Sequence, residues 1–414
     1  VKVAYFFLRF PVSTQTFLQR EVAGVAAHGV PLEVHSILAD HSIGSYQTPP
    51  GVTLKFFRPW QILRLPFALW HESRQHPDLF HQGWTWLCRH RPDTFEKWFM
   101  TLWGAAYAVC QAESFRRSDI THFHGAWATA PATAAAILSY LTGRPFSFGA
   151  HAYDVYRHNG DPFLKPKLLA AHFVHTTTEQ NIRHFQSLLG DRATQVNIVL
   201  SRRGLDFLPE PFHRPSNRGP IHLLSVARLV EKKGHLFQIG AARLLKNRGL
   251  SFHLKIVGDG PLRAALQHEI DEAGLRSEIT LVGAQNIAQI REAYREADIF
   301  WHTGIVDAEG DRDGLPNVIP EAFAFGLPVI SCAEPGATEA VHHEKTGLVV
   351  TEITAENLAQ AVKRLAHDPI LRQTLGQNGR AWVEENFLAV KNSKILAQAF
   401  AASEKRVALP VLNS

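Results

Sequence analysis

The stretch Ala297-Asp-Ile-Phe-Trp-His302 and, beyond a polar loop, Asp313-Gly-Leu-Pro-Asn-Val-Ile-Pro-Glu321 reads as a buried strand, a glycine-bearing loop and an apolar helix over 318–325. Asp313 falls in the loop and Glu321 on the first helical turn, eight residues further on. Glycine, proline and asparagine before a helix are ordinary start signals, and an acid in the first turn complements the helix dipole. The same loop offers free backbone N–H groups beside the positive helix end, which suits a phosphate. A carboxylate on either side then holds hydroxyls of the molecule carrying that phosphate, a description that fits a sugar nucleotide. On spacing alone, both the structural and the ligand reading stand.

The alternation of strand and helix continues on both sides. Short Val/Ile/Leu-rich runs at 221–227, 253–257, 279–282, 328–331 and 348–350 are separated by helical patterns. Such continuous apolar runs belong to a parallel sheet covered on both faces. The segment Pro209-Glu-Pro-Phe-His-Arg-Pro215 breaks the series and reads as an interdomain linker. Before it, strands are predicted at 2–7, 32–36, 120–124, 145–148, 173–177 and 195–200, with an alanine-rich helix over 129–141. The fold class expected is α/β: two doubly wound Rossmann-like parallel-sheet domains facing a central cleft, with ligands at the carboxyl ends of the strands. The expected domains are residues 1–206 and 207–380, with a C-terminal helix over 381–414 packing back on the first.

Residues 59–117 differ from the rest. Trp60, Trp70, Trp84, Trp86, Trp98 and Trp103 are six of the nine tryptophans, interleaved with Arg64, Arg74, Arg89, Arg91 and Lys97. Exposed, this helical insertion would favour a membrane surface or dock an acceptor, since tryptophan and basic residues both prefer the interface. Buried, its tryptophans would fill a core of their own.

Composition sets the outer limits. With 414 residues, 45% apolar and 20% charged, the chain has the make-up of a two-domain soluble protein rather than a disordered one. No apolar run reaches bilayer-spanning length, and the run at 1–7 is too short for a secretory segment. Cys88, Cys110 and Cys332 are few and scattered, which points to a reduced, cytoplasmic location. Residues 1–206 carry 20 Lys+Arg against 14 Asp+Glu, while 207–414 carry 23 against 24. This mild excess suits an anionic substrate or lipid surface, and the absence of a dense basic run argues against nucleic acid.

Several further segments are candidates for chemistry. In Ser225-Val-Ala-Arg-Leu-Val-Glu-Lys-Lys-Gly234, Arg228 and Lys233 are placed to converge on one anion, although two solvated surface cations read the same way. Ile256-Val-Gly-Asp-Gly-Pro261 is a strand ending in a glycine turn at Gly258, with Pro261 suited to N1 of the next helix. Ala284 follows another strand end, its backbone suited to a nucleobase, and Asn286 reads as a helix N-cap. In the first half, His151 and Asp154 lie just past a strand, and His122 and His124 end the preceding one. No convergent set of metal ligands is apparent, and none is expected.

The motifs AHAYDVY (150–156), SVARLVEKKG (225–234), IVGDGPLR (256–263) and EGDRDGLPNVIPEAFAFGLPVI (309–330), in that order, resemble family 4 of the retaining glycosyltransferases with the GT-B fold. The likeness is nearest to the branch acting in exopolysaccharide and colanic-acid-type assembly. It is strongest over 219–351 and weaker over 1–206, where Phe10-Pro-Val-Ser-Thr-Gln-Thr-Phe17 resembles that branch's first loop.

The resemblance implies a hexosyltransferase-type enzyme that needs no cofactor and no metal. It implies transfer of a sugar from a nucleoside diphosphate, UDP favoured over GDP, to a carbohydrate or lipid-linked acceptor; the Trp/Arg-rich segment points to peripheral contact at the inner face of the membrane. By position, Glu321 would bind the ribose and Asp313 the donor sugar. The backbone of Gly314, Leu315, Pro316 and Asn317 would embrace sugar and phosphate. Arg228 and Lys233 would hold the diphosphate, and His151 would lie near the reacting carbon. Gly258 and Ala284 would line the donor side, with Thr16, His124 and Asp154 facing the acceptor. Asp313 stands where the family has glutamate, Ala227 where a glycine is frequent, and Ser13-Thr14 where many relatives have a glycine pair. The alternatives are a sucrose- or sugar-phosphate-type synthase acting on a small acceptor, and a non-catalytic nucleotide-sugar-binding subunit.

Overall fold

The computed structural model describes residues 1–12, 15–38, 46–78, 81, 85, 92–210 and 219–403. The chain divides into two compact units: unit 1 is Val1–Gly204 with Ala389–Ser414, and unit 2 is Leu205–Leu388. Each has the doubly wound α/β architecture expected.

Unit 1 holds seven strands: β1 (Val3–Phe7), β2 (Leu32–Ser36), β3 (Val52–Phe56), β4 (His122–Gly125), β5 (Phe146–Gly149), β6 (Phe173–Thr176) and β7 (Ile198–Leu200). Their order is β3-β2-β1-β4-β5-β6-β7, and every pairing is parallel. Unit 2 holds β8 (Ile221–Val226), β9 (Phe252–Val257), β10 (Ile279–Gly283), β11 (Ile299–His302), β12 (Val329–Cys332) and β13 (Gly347–Val350). Their order is β10-β9-β8-β11-β12-β13, again all parallel. In both sheets the order reverses beside the first strand, at β1/β4 and at β8/β11. Loops leaving the carboxyl ends at such a reversal diverge to opposite faces and open a ligand crevice.

The apolar runs need both faces covered, and the packing supplies both. In β1, Ala4 and Phe6 enter one hydrophobic cluster while Val3, Tyr5 and Phe7 enter another. In β11, Ile299 and Trp301 join one cluster and Phe300 the opposite one. This alternation follows from the two-residue period of a strand. Trp301 is completely buried, so truncation to alanine should cost about 3–5 kcal/mol.

The borders differ from expectation. The last helix of unit 2, Pro369–Asn386, runs past residue 380, and the return to unit 1 begins at Ala389, with the helix Ala389–Ala402. A hydrophobic stripe of that final helix, Leu396, Ala397 and Phe400, completes the cluster around Leu18, Val22 and Phe173. Residues 211–215 of the proline-rich segment lie outside the described residues. Strand β3 was not expected. Its residues alternate between partly buried and exposed at the sheet edge, and Lys55 and Thr53 interrupt the apolar run. Pro261 precedes its helix instead of opening it, since that helix starts at Arg263.

The tryptophan-bearing stretch does not fill a core of its own. Helix Leu65–Gln75 buries one residue, Glu72, whose carboxylate accepts from Arg116 at 2.8 Å on helix Phe95–Arg116. Apolar residues of this helix and of the turn Pro59–Arg64 before it face outward instead: Trp60, Leu63, Phe67 and Trp70 are 52–79% exposed. Arg58 lies 4.9 Å from the Trp60 ring centre and Arg74 lies 4.5 Å from that of Trp70. Trp103 instead turns inward and donates to the Ile37 carbonyl at 2.9 Å. Trp84, Trp86, Cys88, Arg89 and Arg91 lie outside the described residues. Among the described residues no helix is long and apolar enough to cross a membrane.

Candidate functional site

In unit 2 the loops that leave β8 and β11 meet across the sheet reversal. Lys233, at the end of the β8 loop, forms an ion pair with Asp313, 80 residues later in the β11 loop. Lys232 pairs with Asp311 at 2.9 Å and approaches Asp313 at 3.6 Å. His302, buried at the end of β11, brings Nε2 to 3.8 Å from Asp313. Burial opposes ionisation of Asp313, but Lys233, His302 and Lys232 together hold its carboxyl well below the usual carboxylate range. Burial and Lys233 in turn lower the His302 imidazole, against the opposing pull of Asp313.

Close backbone contact fixes this arrangement. A side chain at Gly336, after β12, would strike the carbonyls of Gly314 and Asp313, so glycine is required there. Gly258, at φ 142°, lies against the Ala227 carbonyl, which locks the β9 turn onto the β8 loop. Between these loops sits Glu334, 4% exposed, accepting from the Ala337 amide at 3.1 Å. Burial and the nearby Asp313 charge push its carboxyl up to about 8, against the opposing amide hydrogen bonds. Burial thus favours the protonated form of Glu334.

Glu321 sits on the first turn of the seven-residue helix Val318–Ala324, as expected from its spacing. Its carboxylate accepts from the buried Tyr294 hydroxyl at 3.2 Å. Arg228 is exposed and its carbonyl accepts from His235. The structure therefore pairs Lys233 with Asp313, and no described contact joins Lys233 to Arg228. Ala284 is exposed and Asn286 caps the helix Ile287–Glu296 with a reciprocal Gln289 contact. Pro316 is buried while Gly314, Leu315 and Asn317 are half-buried.

In unit 1 two expectations need correction. Asp154 was placed facing the acceptor, but it is 1% exposed and its oxygens accept from the amides of Ala128, His151 and Ala152 at 2.9–3.2 Å. It ties the β4 and β5 loops together. His124 is also fully buried, with Nδ1 at 2.6 Å from the Ser147 hydroxyl and its ring packed edge-on against Tyr5 and Phe400. Both side chains lie inside the fold and not on its surface. His151 is buried after β5, edge-on to Trp127 and His175. Burial, with Arg203 nearby, holds it well below the ordinary imidazole range. Thr16 opens the helix Thr16–Ala27 and is partly buried; Ser13 and Thr14 lie outside the described residues. Among the described residues no cluster of His, Cys, Asp or Glu is arranged to hold a metal.

Residues 208–382 match the family model for glycosyl transferases group 1. Unit 2 is a group 1 glycosyl transferase domain. The chain is 28% identical to the amylovoran biosynthesis glycosyltransferase AmsK of Erwinia amylovora, over 94% of this chain and 96% of that one. It is 26% identical to a putative colanic acid biosynthesis glycosyltransferase of Escherichia coli, WcaL, over 87% and 89%. A GDP-mannose-dependent mannosyltransferase of Mycobacterium tuberculosis is 32% identical over 43% of this chain and 48% of its own. Among solved structures, a glycosyltransferase from Rickettsia africae superposes with TM-score 0.69 at 17% identity, covering 98% and 99% of the two chains. The HepE protein of Anabaena bound to UDP-glucose gives TM-score 0.65 at 17% identity, covering 97% and 99%. These likenesses establish the GT-B fold, and the family matched by residues 208–382 and the two relatives aligned over most of the chain are glycosyltransferases.

Sequence reasoning missed Lys232, His302, Tyr294, Glu334 and Arg203. For Lys232 the signal was present as its neighbour's repeat in Glu-Lys-Lys-Gly. The others become visible only when distant strand ends meet.

Proposed function

We propose that this glycosyltransferase moves a hexose from a nucleoside diphosphate, UDP in preference to GDP, to a hydroxyl of a carbohydrate or lipid-linked acceptor, with retention at the anomeric carbon and without a metal. The supporting observation is the Lys232/Lys233–Asp313 cluster at the reversal of the unit 2 sheet, inside the matched segment. Asp313 holds the Lys233 ammonium in place through an ion pair, and with Arg228 the two lysines offer positive charge to a departing diphosphate. Such preorganised charge stabilises a leaving group as it develops, the task a divalent cation performs elsewhere. Glu321, oriented by Tyr294, takes the ribose hydroxyls, and the backbone at Gly258, Ala284 and Gly314–Asn317 surrounds the rest of the donor. His151, kept neutral, donates to or accepts from the sugar near the reacting carbon. The leaving phosphate takes the acceptor proton.

The relatives named for amylovoran and colanic acid synthesis favour a role in exopolysaccharide assembly. The outward aromatic and arginine residues of 58–74 favour work at the cytoplasmic membrane face, where such acceptors are anchored. The test is turnover of UDP-glucose and GDP-mannose with and without EDTA, with the product anomer read by NMR. Loss of turnover in EDTA or an inverted product would refute the reading. Transfer only to soluble phosphosugars would replace it by the synthase.

A further inference from the structure

Two carboxyl groups of unit 2 lie close enough for the charge of one to act on the other, and their surroundings differ. Asp313 is met by Lys233, by Lys232 at 3.6 Å and by His302 at 3.8 Å. Glu334, two residues beyond β12, is buried, and its Oε1 has no hydrogen-bond partner among the described residues. Its Oε2 accepts from the Ala337 amide at 3.1 Å, and the Gly336 amide faces the same carboxyl. The Glu334 carbonyl accepts from the amides of Ala337 at 3.0 Å and Thr338 at 3.1 Å. Side chain and main chain of one residue thus fold the turn 335–338 back on itself.

That turn carries Gly336, which lies against the carbonyls of Asp313 and Gly314. The path from Glu334 to the Lys233–Asp313 pair is therefore one turn and one backbone contact long. Charge acts along it too. An ionised Glu334 would be a buried carboxylate with no donor at Oε1, which is costly. It would also compete with Asp313 for the lysines. Uncharged, it keeps its amide contacts and adds nothing negative. Carboxyls set apart in this way divide their tasks. Asp313 and Arg312 act on Glu334 from the β11 loop in opposite senses. The Cys332 thiol, at the end of β12, is pushed up to about 12 by burial and by Glu334.

We propose that Glu334 is a positioning residue of the donor site. It holds the turn 335–338 against the Asp313 loop and, by carrying no charge, leaves the Lys232/Lys233 cluster open to a diphosphate. This deepens the proposed function and rests on it for the identity of the anion.

Titrating UDP and GDP into the full chain by calorimetry, at about pH 7 and about pH 9, brackets the Glu334 value of about 8. Across that range the nucleotide that binds should lose at least about 3-fold in affinity beyond any loss in Glu334→Gln, the scale of one unit charge added beside an anion at a half-buried site. Glu334→Gln keeps an oxygen for the amides and does not ionise. Glu334→Leu keeps the bulk without the oxygen and should bind more weakly than Glu334→Gln at both pH values; the glutamine variant decides alone if this one misfolds. A purely structural Glu334 would give wild type and Glu334→Gln the same pH profile, and that result would overturn the proposal. Infrared spectra of the ligand-free protein supply a second reading. The carboxylic acid band missing from Glu334→Gln should titrate at lower pH in Asp313→Asn than in wild type, because a like charge has gone. A wild type without that band at about pH 7, or a titration that Asp313→Asn leaves unmoved, would also overturn it. A chain that binds neither nucleotide would refute the proposed function, and the infrared titration then rules on Glu334 by itself.

Discussion

The two units share the strand order around the reversal, with one further strand in unit 1, and hold their loop cations in different ways. In unit 2 the cations Lys232 and Lys233 are already matched by Asp311 and Asp313. In unit 1 the cation at the equivalent edge, Arg203, is held by aromatic rings and keeps two donors unmet. The difference separates two tasks. Prepaired lysines cost little to keep folded and, in the proposed function, exchange one anion for another when a diphosphate arrives. The Arg203 guanidinium rests on aromatic faces instead of a carboxylate.

The comparison breaks first at Lys233. Lys233→Ala should lower transfer about 10²–10³-fold, as removal of one preorganised donor does elsewhere, measured as initial rate at saturating acceptor. A loss of less than about 10-fold would remove Lys233 from the diphosphate site. Next, Asp313→Asn leaves Lys232 and Lys233 partly buried without their shared counter-ion. It should cost about 3 kcal/mol in urea unfolding of the ligand-free protein and regain much of this when UDP is added, because the nucleotide restores the missing negative charge. No recovery with UDP would mean that the lysines do not face the diphosphate.

A third comparison is pH. Glu334 has its carboxyl raised to about 8 from 4.5, so the folded state holds its proton more tightly than the unfolded chain. Its contribution is complete below pH 4.5 and is lost as pH rises through 8. Between pH 6 and 8 this should remove at most about 2 kcal/mol, and Glu334→Gln should flatten that part of the stability curve. The smallest effect is at the surface. Changing Trp60, Phe67 and Trp70 together to serine should leave melting temperature within about 2 °C, since exposed sites contribute little, yet reduce flotation with anionic vesicles several-fold. Unchanged flotation would sever unit 1 from the membrane.

Legibility followed the range of the signal. Fully buried parallel strands declared themselves as unbroken apolar runs, and Glu321 could be placed by counting from Asn317. The edge strand β3 could not, because half its side chains face solvent. His124 and Asp154 were chosen by residue type, but type does not reveal whether a histidine after a strand faces the edge or the core. The Lys233–Asp313 pair depends on residues 80 apart brought together by sheet order. Arg203 had no local pattern at all; its meaning comes from Phe17 and Trp127 arriving from two other strand ends.

The final helix has a consequence for synthesis. Because Leu396, Ala397 and Phe400 complete the unit 1 core, the portion that leaves the ribosome first is the last to close. Until the whole of unit 2 has emerged, Leu18, Val22 and Phe173 await their partner, so a nascent chain stalled near residue 390 would hold a finished second half beside an unfinished first.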